Sequence, residues 1–367
     1  MITETQATDN ELIFGSESDD DDPPMTGYDS RPKTITNPNP NPKPKFMDED
    51  EESEDDEEVP EPTLNLATDP SQFQICQEKT IGIEEYQNYI FPHVNNYIFK
   101  TWNEYFPNQK VNLESLIFNS EWFEFIEQVA NKKYYNNIEK ILSKCLEKKQ
   151  FIVPYPQLIF NAMNTMYLRN IRVVIIGQDP YFGVLQINGK RIPQGMGNCF
   201  SVCVGFPKPP SLTNIYGNLH KFGHVKQKPS SGNLSMWALQ GCLMINSALT
   251  TVQGMPGAHQ ALWKDFTTDL IRYINTKCDG VVFLAWGAHA HKLCLNIDPT
   301  KHKIITSSHP SPMSFMNTLD GLTYGMDPTK RKQITYPPFK DVDHFGEVNR
   351  YLQQKEKQPI LWDLFIS

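Results

Sequence analysis

Twelve residues constrain this chain more than any other stretch: Ile171-Arg172-Val173-Val174-Ile175-Ile176-Gly177-Gln178-Asp179-Pro180-Tyr181-Phe182. The first half is a β-branched run with one charge, the pattern of a strand buried on both faces of a parallel sheet. Gly177 then permits a turn, and Pro180 cannot continue a ladder. Asp179 stands between them and is the only Asp or Glu from Lys148 to Lys264. A lone carboxylate at the carboxyl end of a buried strand lies where open α/β sheets hold their ligands. It can equally cap the following turn. This stretch alone leaves both readings open.

Three further short apolar runs follow, Cys242 to Ile245, Val281 to Trp286 and Lys303 to Thr306, separated by turn signals and helical stretches. Leu262, Phe266, Leu270, Tyr273 and Ile274 recur at helical spacing between the first two of these. Upstream, Glu121 to Lys149 predicts helices covering one face of the sheet: Trp122, Phe123, Phe125 and Ile126 open one apolar face, and Ile138, Ile141, Leu142 and Cys145 continue another. Leu158 to Met166 predicts a further helix leading into the central strand. Strands alternating with helices argue for an α/β fold in three layers, α/β/α, with a central four-stranded, mostly parallel sheet. Each strand delivers something polar or small at its carboxyl end: Gln178 and Asp179, then Asn246, then Gly287-Ala288, then His309. Four such ends on one edge make a site.

Composition divides the chain unevenly. Residues 1–66 hold 20 acidic and 4 basic residues, with an acid run from Asp48 to Glu58 broken only by Ser53 and alternating prolines from Asn37 to Lys45. Such a segment cannot bury enough apolar surface to offset the entropy of ordering, so 1–66 reads as a disordered acidic, Pro-rich tail. The remainder carries 30 basic and 23 acidic residues, a net +7, although the whole chain is −9. A basic body with an acid-free window around Asp179 suits a polyanion. Residues 67–120 form an N-terminal extension whose role the sequence leaves open. Tyr86, Tyr89, Ile90, Val94 and Tyr97 have helical spacing there, Pro92 interrupts it, and Trp102 falls out of register. Seven cysteines without a Cys-x-x-Cys pair suggest neither a zinc site nor a disulfide framework. With no apolar run of about 18 residues and no signal-peptide pattern, a soluble intracellular protein is expected, in nucleus or cytoplasm, with no membrane partner.

His309 sits in Ser307-Ser308-His309-Pro310-Ser311-Pro312-Met313-Ser314, held between a strand end and two prolines. A backbone carbonyl could satisfy such a histidine. Yet Gly177-Gln178-Asp179-Pro180-Tyr181 and His309-Pro310-Ser311-Pro312 occur in one chain, each after a strand, with Pro209-Pro210-Ser211-Leu212 and Asn246 between them. Asn198-Cys199-Phe200-Ser201-Val202, Trp237-Ala238-Leu239-Gln240-Gly241, His344-Phe345, Pro359-Ile360 and Trp362 complete the series. In number and order these motifs resemble the main family of uracil-DNA glycosylases, the family 1 type, in a form expected of a large DNA virus. The resemblance runs from Glu121 to Phe365 and makes 121–367 the catalytic domain.

The resemblance implies the chemistry. Asp179 matches the aspartate that holds the attacking water and stabilises positive charge on the sugar. His309 matches the histidine that donates to uracil O2 while acting neutral. Asn246 matches the amide that reads uracil N3–H and O4 and mismatches cytosine. Tyr181 would press on C5 and exclude thymine, Phe200 would stack on the ring, and Gln178 would add backbone contacts. Pro209, Pro210 and Ser211, then Gly287 and Ala288, then Ser311 would compress the DNA backbone, with Met313 as the wedge that replaces the flipped base. No metal or organic cofactor is implied. The partner is uracil-containing DNA, single- or double-stranded, bound by a monomer.

Three departures stand out: Phe182 where the family has histidine, Ala288 where it has serine, and about twenty extra residues after Met313 that carry Lys330, Arg331 and Lys332. If that insertion folds towards DNA, its charges reach phosphate; otherwise it is a tolerated surface loop. Two other functions remain open: a polymerase processivity or DNA-binding module, with the acidic tail docking a replication protein, and a glycosylase of broader base choice. Asn246 and Tyr181 argue against the latter.

Overall fold

The computed structural model describes residues 89–363. The acidic tail 1–66 and the start of the extension lie outside them. Four strands form the central sheet: β1 (Val173–Gly177), β2 (Cys242–Asn246), β3 (Val282–Trp286) and β4 (Lys303–Ser307). They pair in the order β2-β1-β3-β4, and every pairing is parallel. All carboxyl ends therefore share one edge.

The alternation of side chains explains the three layers. Val174, Ile176, Leu243, Ile245, Phe283 and Ala285 point into one core with α1 (Phe123–Ala130), α2 (Lys133–Glu147) and α4 (Gln260–Lys277). Val173, Ile175, Cys242, Met244, Val282 and Leu284 point into a second core with α3 (Pro210–Lys221) and α6 (His344–Gln354). Covered on both faces, the strands need no polar alternation, which is why they read as continuous apolar runs. A further helix, α5 (Gly287–Cys294), leaves directly from the end of β3 and packs Ala290 and Cys294 into the first core.

The spacing from Tyr86 to Tyr97 is split at Pro92, as that proline implies: within the described residues Tyr89 and Ile90 are helical and Val94–Asn96 is a separate 3-10 turn. One helical expectation changes. Leu158 to Met166 is broken, into a 3-10 turn at Pro156–Leu158 and a single α-turn at Asn161–Asn164. Asn161 and Asn164 turn their side chains to distant backbone instead, at Met196 and Leu116 (both 2.9 Å). Such side-chain bonds compete with helix continuation.

The described part of the extension is packed against this domain. Trp102 opens a single turn capped by Thr101 and Glu104, which bond each other's backbone N–H. Its indole is buried and donates to the Pro154 carbonyl at 2.7 Å. Phe106, Val111, Leu113, Leu116 and Ile117 join it in the first core.

The insertion after Met313 forms an antiparallel hairpin, β5 (Leu319–Leu322) and β6 (Gln333–Tyr336). His291 of α5 bonds the Leu322 carbonyl at 2.9 Å and packs between the rings of Tyr324 and Tyr336. Of the basic triplet that precedes β6, two residues make contacts within the chain. Arg331 bonds Asn296 at 2.5 Å and the Gly325 carbonyl at 3.1 Å, and Lys330 pairs with Asp327 at 3.3 Å. Asn296 lies beyond the carboxyl end of α5, about 12 Å of helix away from Gly287 at the strand edge. The tip therefore points away from the edge where the strands end.

Trp102→Ala should lower unfolding free energy by about 3–5 kcal/mol, the range for deleting a buried indole. Chemical denaturation measures it, and a loss below about 1 kcal/mol would mean the extension is not part of the core.

Candidate active site

The site is assembled at the carboxyl edge, strand by strand. Gly177 ends β1 opposite Asn246, the last residue of β2. A Cβ at 177 would lie 2.3 Å from Asn246 Oδ1 and 2.7 Å from Cys199 Cβ, so only glycine lets the asparagine amide cross the strand end. Asn246 is buried, and among the described residues its amide has no hydrogen bond within the chain. Both its donor and its acceptor are open to a ligand.

The chain then turns through Gln178 and Asp179. The Gln178 carbonyl accepts from Ser247 Oγ (2.7 Å) and the Ala248 N–H (2.9 Å), so a backbone contact to a base would have to come from its N–H. Asp179 is half-buried, and its Oδ2 accepts from the Gly257 N–H at 2.7 Å. Burial pushes its carboxyl above the usual range, while the Gly257 bond and the charge of His289 hold it down. Tyr181 packs against the cluster containing Leu158, Met196 and Val202, with its hydroxyl buried and unpartnered. What it offers a ligand is ring surface.

Phe200 adopts φ +61°, a left-handed conformation unusual for a bulky residue. The segment is held from both sides, by the Cys199 N–H on the Met244 carbonyl (3.2 Å) and by Cys199 Sγ on Ile175 O (3.3 Å). This places the Phe200 ring 5.7 Å from Trp286 and 5.8 Å from His309, centroid to centroid. Trp286 is in turn fixed by its indole N–H on His344 Nδ1 at 3.2 Å.

His309 follows β4. Its Nδ1 accepts from the Ser311 N–H at 3.1 Å, so the proton of the neutral ring is on Nε2, which is left as a donor. Burial lowers its pKa to about 4, and the charge of His289 acts in the same direction. Gly287 (φ +84°) begins α5 directly against it, since a Cβ there would meet His309 Cβ at 2.8 Å. The partial positive charge at that helix end also disfavours imidazolium. The ring is a neutral donor.

Around this centre lie the loop residues singled out from sequence. Pro209 caps α3, and Pro210 and Ser211 form its first turn. Asn214 of α3 donates to the Pro310 carbonyl at 2.8 Å, tying that turn to the His309-Ser311 loop. Met313 is 49% exposed on a turn closed by the Ser314 N–H on Ser311 O at 3.0 Å. Ala288 lies in the first turn of α5 and brings no hydroxyl.

Two contributors escaped the sequence reading. Gly257 reaches Asp179 from a turn 78 residues away, and only its place in the glycine-rich Gly254 to Gly257 stretch hinted at a tight loop. His289 stands one residue past Ala288, and its charge bears on both Asp179 and His309. Its proximity to the Gly287-Ala288 pair was the available signal.

Known proteins resemble this chain. Residues 165–335 match the Uracil DNA glycosylase superfamily. A probable uracil-DNA glycosylase of Acanthamoeba polyphaga mimivirus is 51% identical over 284 residues, 77% of this chain and 75% of that protein. The uracil-DNA glycosylase of Psychromonas ingrahamii is 40% identical over 242 residues, 66% of this chain and 99% of its own length. The crystal structure of mimivirus uracil-DNA glycosylase aligns with a TM-score of 0.72 at 51% identity, covering 76% of this chain and 99% of that one. With identity of this extent across most of both chains, the protein belongs to the uracil DNA glycosylase superfamily.

Proposed function

We propose that Asp179 and His309 divide the cleavage of uracil from DNA between them, one on the sugar and one on the leaving base. The enzyme is a monofunctional DNA glycosylase: it hydrolyses the N-glycosidic bond of uracil and leaves an abasic site, the first step of base excision repair. The observation that carries the assignment is the His309 ring, neutral, with Nδ1 occupied and Nε2–H available at the edge where Asp179 and Asn246 also end.

As the C1′–N1 bond breaks, positive charge grows on the sugar and negative charge on the base. The Asp179 carboxylate stabilises the first and holds the water whose oxygen bonds C1′. His309 Nε2–H donates to uracil O2 and stabilises the second; a neutral donor does this without first forming a strong ion pair with the substrate. Asn246 matches uracil N3–H and O4, and cytosine would leave that buried amide mispaired, at about 1–3 kcal/mol. Tyr181 offers ring surface towards C5, and Phe200 lies beside His309 to stack on the base. Pro209, Pro210, Ser211, Gly287, Ala288 and Ser311 line the DNA path, and Met313, apolar and exposed, fills the vacated stack. The enzyme works as a monomer, inside the cell, and the acid run Asp48 to Glu58 docks a replication protein; charge and composition support that reading.

Asp179→Asn should fold and bind DNA nearly as before while excision falls at least a hundredfold; a turnover assay finding undiminished rates would remove Asp179 from the mechanism. Activity requires Asp179 ionised and His309 neutral, and both states are gained as pH rises. Because the Asp179 pKa is raised by burial and that of His309 is lowered to about 4, kcat/KM should climb through the Asp179 titration and show no inflection near 6.5. A pH–rate profile checks this; an inflection near 6.5 that disappears in His309→Gln would show that His309 titrates in the working range.

His309→Ala should lose most turnover on natural uracil and less on a substrate whose leaving base is more acidic. Equal losses would argue against a role in leaving-group stabilisation. Asn246→Asp should gain measurable excision of cytosine, since a protonated carboxyl donates to N3 and a carboxylate accepts from the exocyclic amine. A variant inert towards cytosine but folded would contradict the pocket assignment.

A further inference from the structure

The rim beside Asp179 is apolar and open. Phe182, three residues beyond Asp179, is 36% exposed, and Met255, two residues before the glycine that bonds Asp179, is 50% exposed. Backbone bonds bring these segments together and fix them. The Gly254 N–H donates to the Phe182 carbonyl at 3.3 Å, and the Gln194 N–H to the Gly183 carbonyl at 2.8 Å. Met255 is clamped in a turn, its N–H on Val252 O at 2.9 Å and its carbonyl accepting from Thr251 Oγ1 at 2.6 Å. Two apolar side chains are thus displayed on rigid backbone next to the reacting carboxylate.

Farther along the hairpin that follows Gly183 a cation is exposed: Arg191 hydrogen-bonds Gln253, two residues before Met255, and its guanidinium lies 4.0 Å from the Phe151 ring centroid. From 149 to 263 no acidic side chain other than Asp179 is present to repel phosphate. Three residues of extended chain span at most about 11 Å, so the Phe182 ring lies within one or two nucleotides of the sugar that Asp179 faces. An exposed aromatic face is how single-strand binders stack a base, whichever base it is. In a duplex the neighbours of a flipped nucleotide remain paired and stacked. In a single strand a neighbour is free to turn its face to the protein.

We propose that Phe182, with Met255 beside it, is a stacking platform for an unpaired base next to the uracil, and that it biases the enzyme towards uracil in single-stranded DNA. The proposal rests on the reading of this edge as a uracil-excising centre. The test compares Phe182→Ala with the unaltered chain on one uracil oligonucleotide, single-stranded and annealed. The single-strand KM should rise about five- to tenfold with kcat held, while the duplex KM changes less than about twofold. Phe182→Trp should keep the low KM. Replacing the flanking nucleotides by an abasic linker, one side at a time, should cost the unaltered chain as much as Phe182→Ala on the contacted side, with no further loss when both changes are combined. An unchanged single-strand KM, equal losses on both substrates, or additive losses on both sides would overturn the platform. Fluorescence anisotropy with a uracil-free single strand separates the two readings. Binding that depends on Phe182 without any excision would sink the active-site assignment alone; excision with Phe182-independent single-strand binding would sink the platform alone.

Discussion

The missing side chain at position 177 is the constraint on which the rest of the site depends. The last residue of β1 lies against the last residue of β2, and the Asn246 amide occupies the space that any Cβ at 177 would need. Cys199, which anchors the strained Phe200 turn, presses into the same space from the other side. A methyl group there would push apart the Asn246 amide and the segment that holds the Phe200 ring together. The same device recurs where β3 gives way to α5: Gly287, at positive φ, lets His309 pack directly on the backbone. Two glycines at two strand ends allow four strands to bring their functional groups within reach of one ligand.

Electrostatics follow from that crowding. Burial acts oppositely on the two titrating groups, raising the Asp179 carboxyl and lowering the His309 imidazole, because in each case the charged form is the one that loses water. For His309 the shift secures the neutral donor. For Asp179 it works against the ionised form, and the Gly257 N–H and the charge of His289 counter it. The Asp179 carboxylate is therefore supported by groups on two other segments, the turn before α4 and the start of α5.

A second tier of contacts keeps this arrangement rigid. His344 accepts the Trp286 indole proton at Nδ1 and bonds the Phe339 carbonyl through Nε2 at 3.2 Å, so it is neutral, and burial lowers its pKa to about 3. Trp286 in turn backs Phe200, which packs beside His309. On the sheet's edge the hairpin β5–β6 closes over α5 through His291, Tyr324 and Tyr336. The insertion, which the sequence left open between a DNA-contacting and a tolerated surface loop, braces the helix that carries His289, with Arg331 turned into the loop itself.

The sequence by itself determined the strands and their order of function. Runs such as Val173 to Ile176 are apolar on every residue because helices cover both faces of a parallel sheet, and that pattern is local enough to read. Motifs bound to strand ends were legible for the same reason: Asp179, Asn246 and His309 each sit at a fixed offset from a run that could be located. Only the tertiary structure decided what depends on segments distant along the chain. The Gly257 bond to Asp179, the bearing of His289 on both Asp179 and His309, the packing of Trp102 into the core and the inward turn of Arg331 each join residues whose spacing carries no periodic signal. Leu158 to Met166 shows the limit from the other direction: its helical pattern was real, but Asn161 and Asn164 bond distant carbonyls, and those contacts exist only once the chain has folded around them.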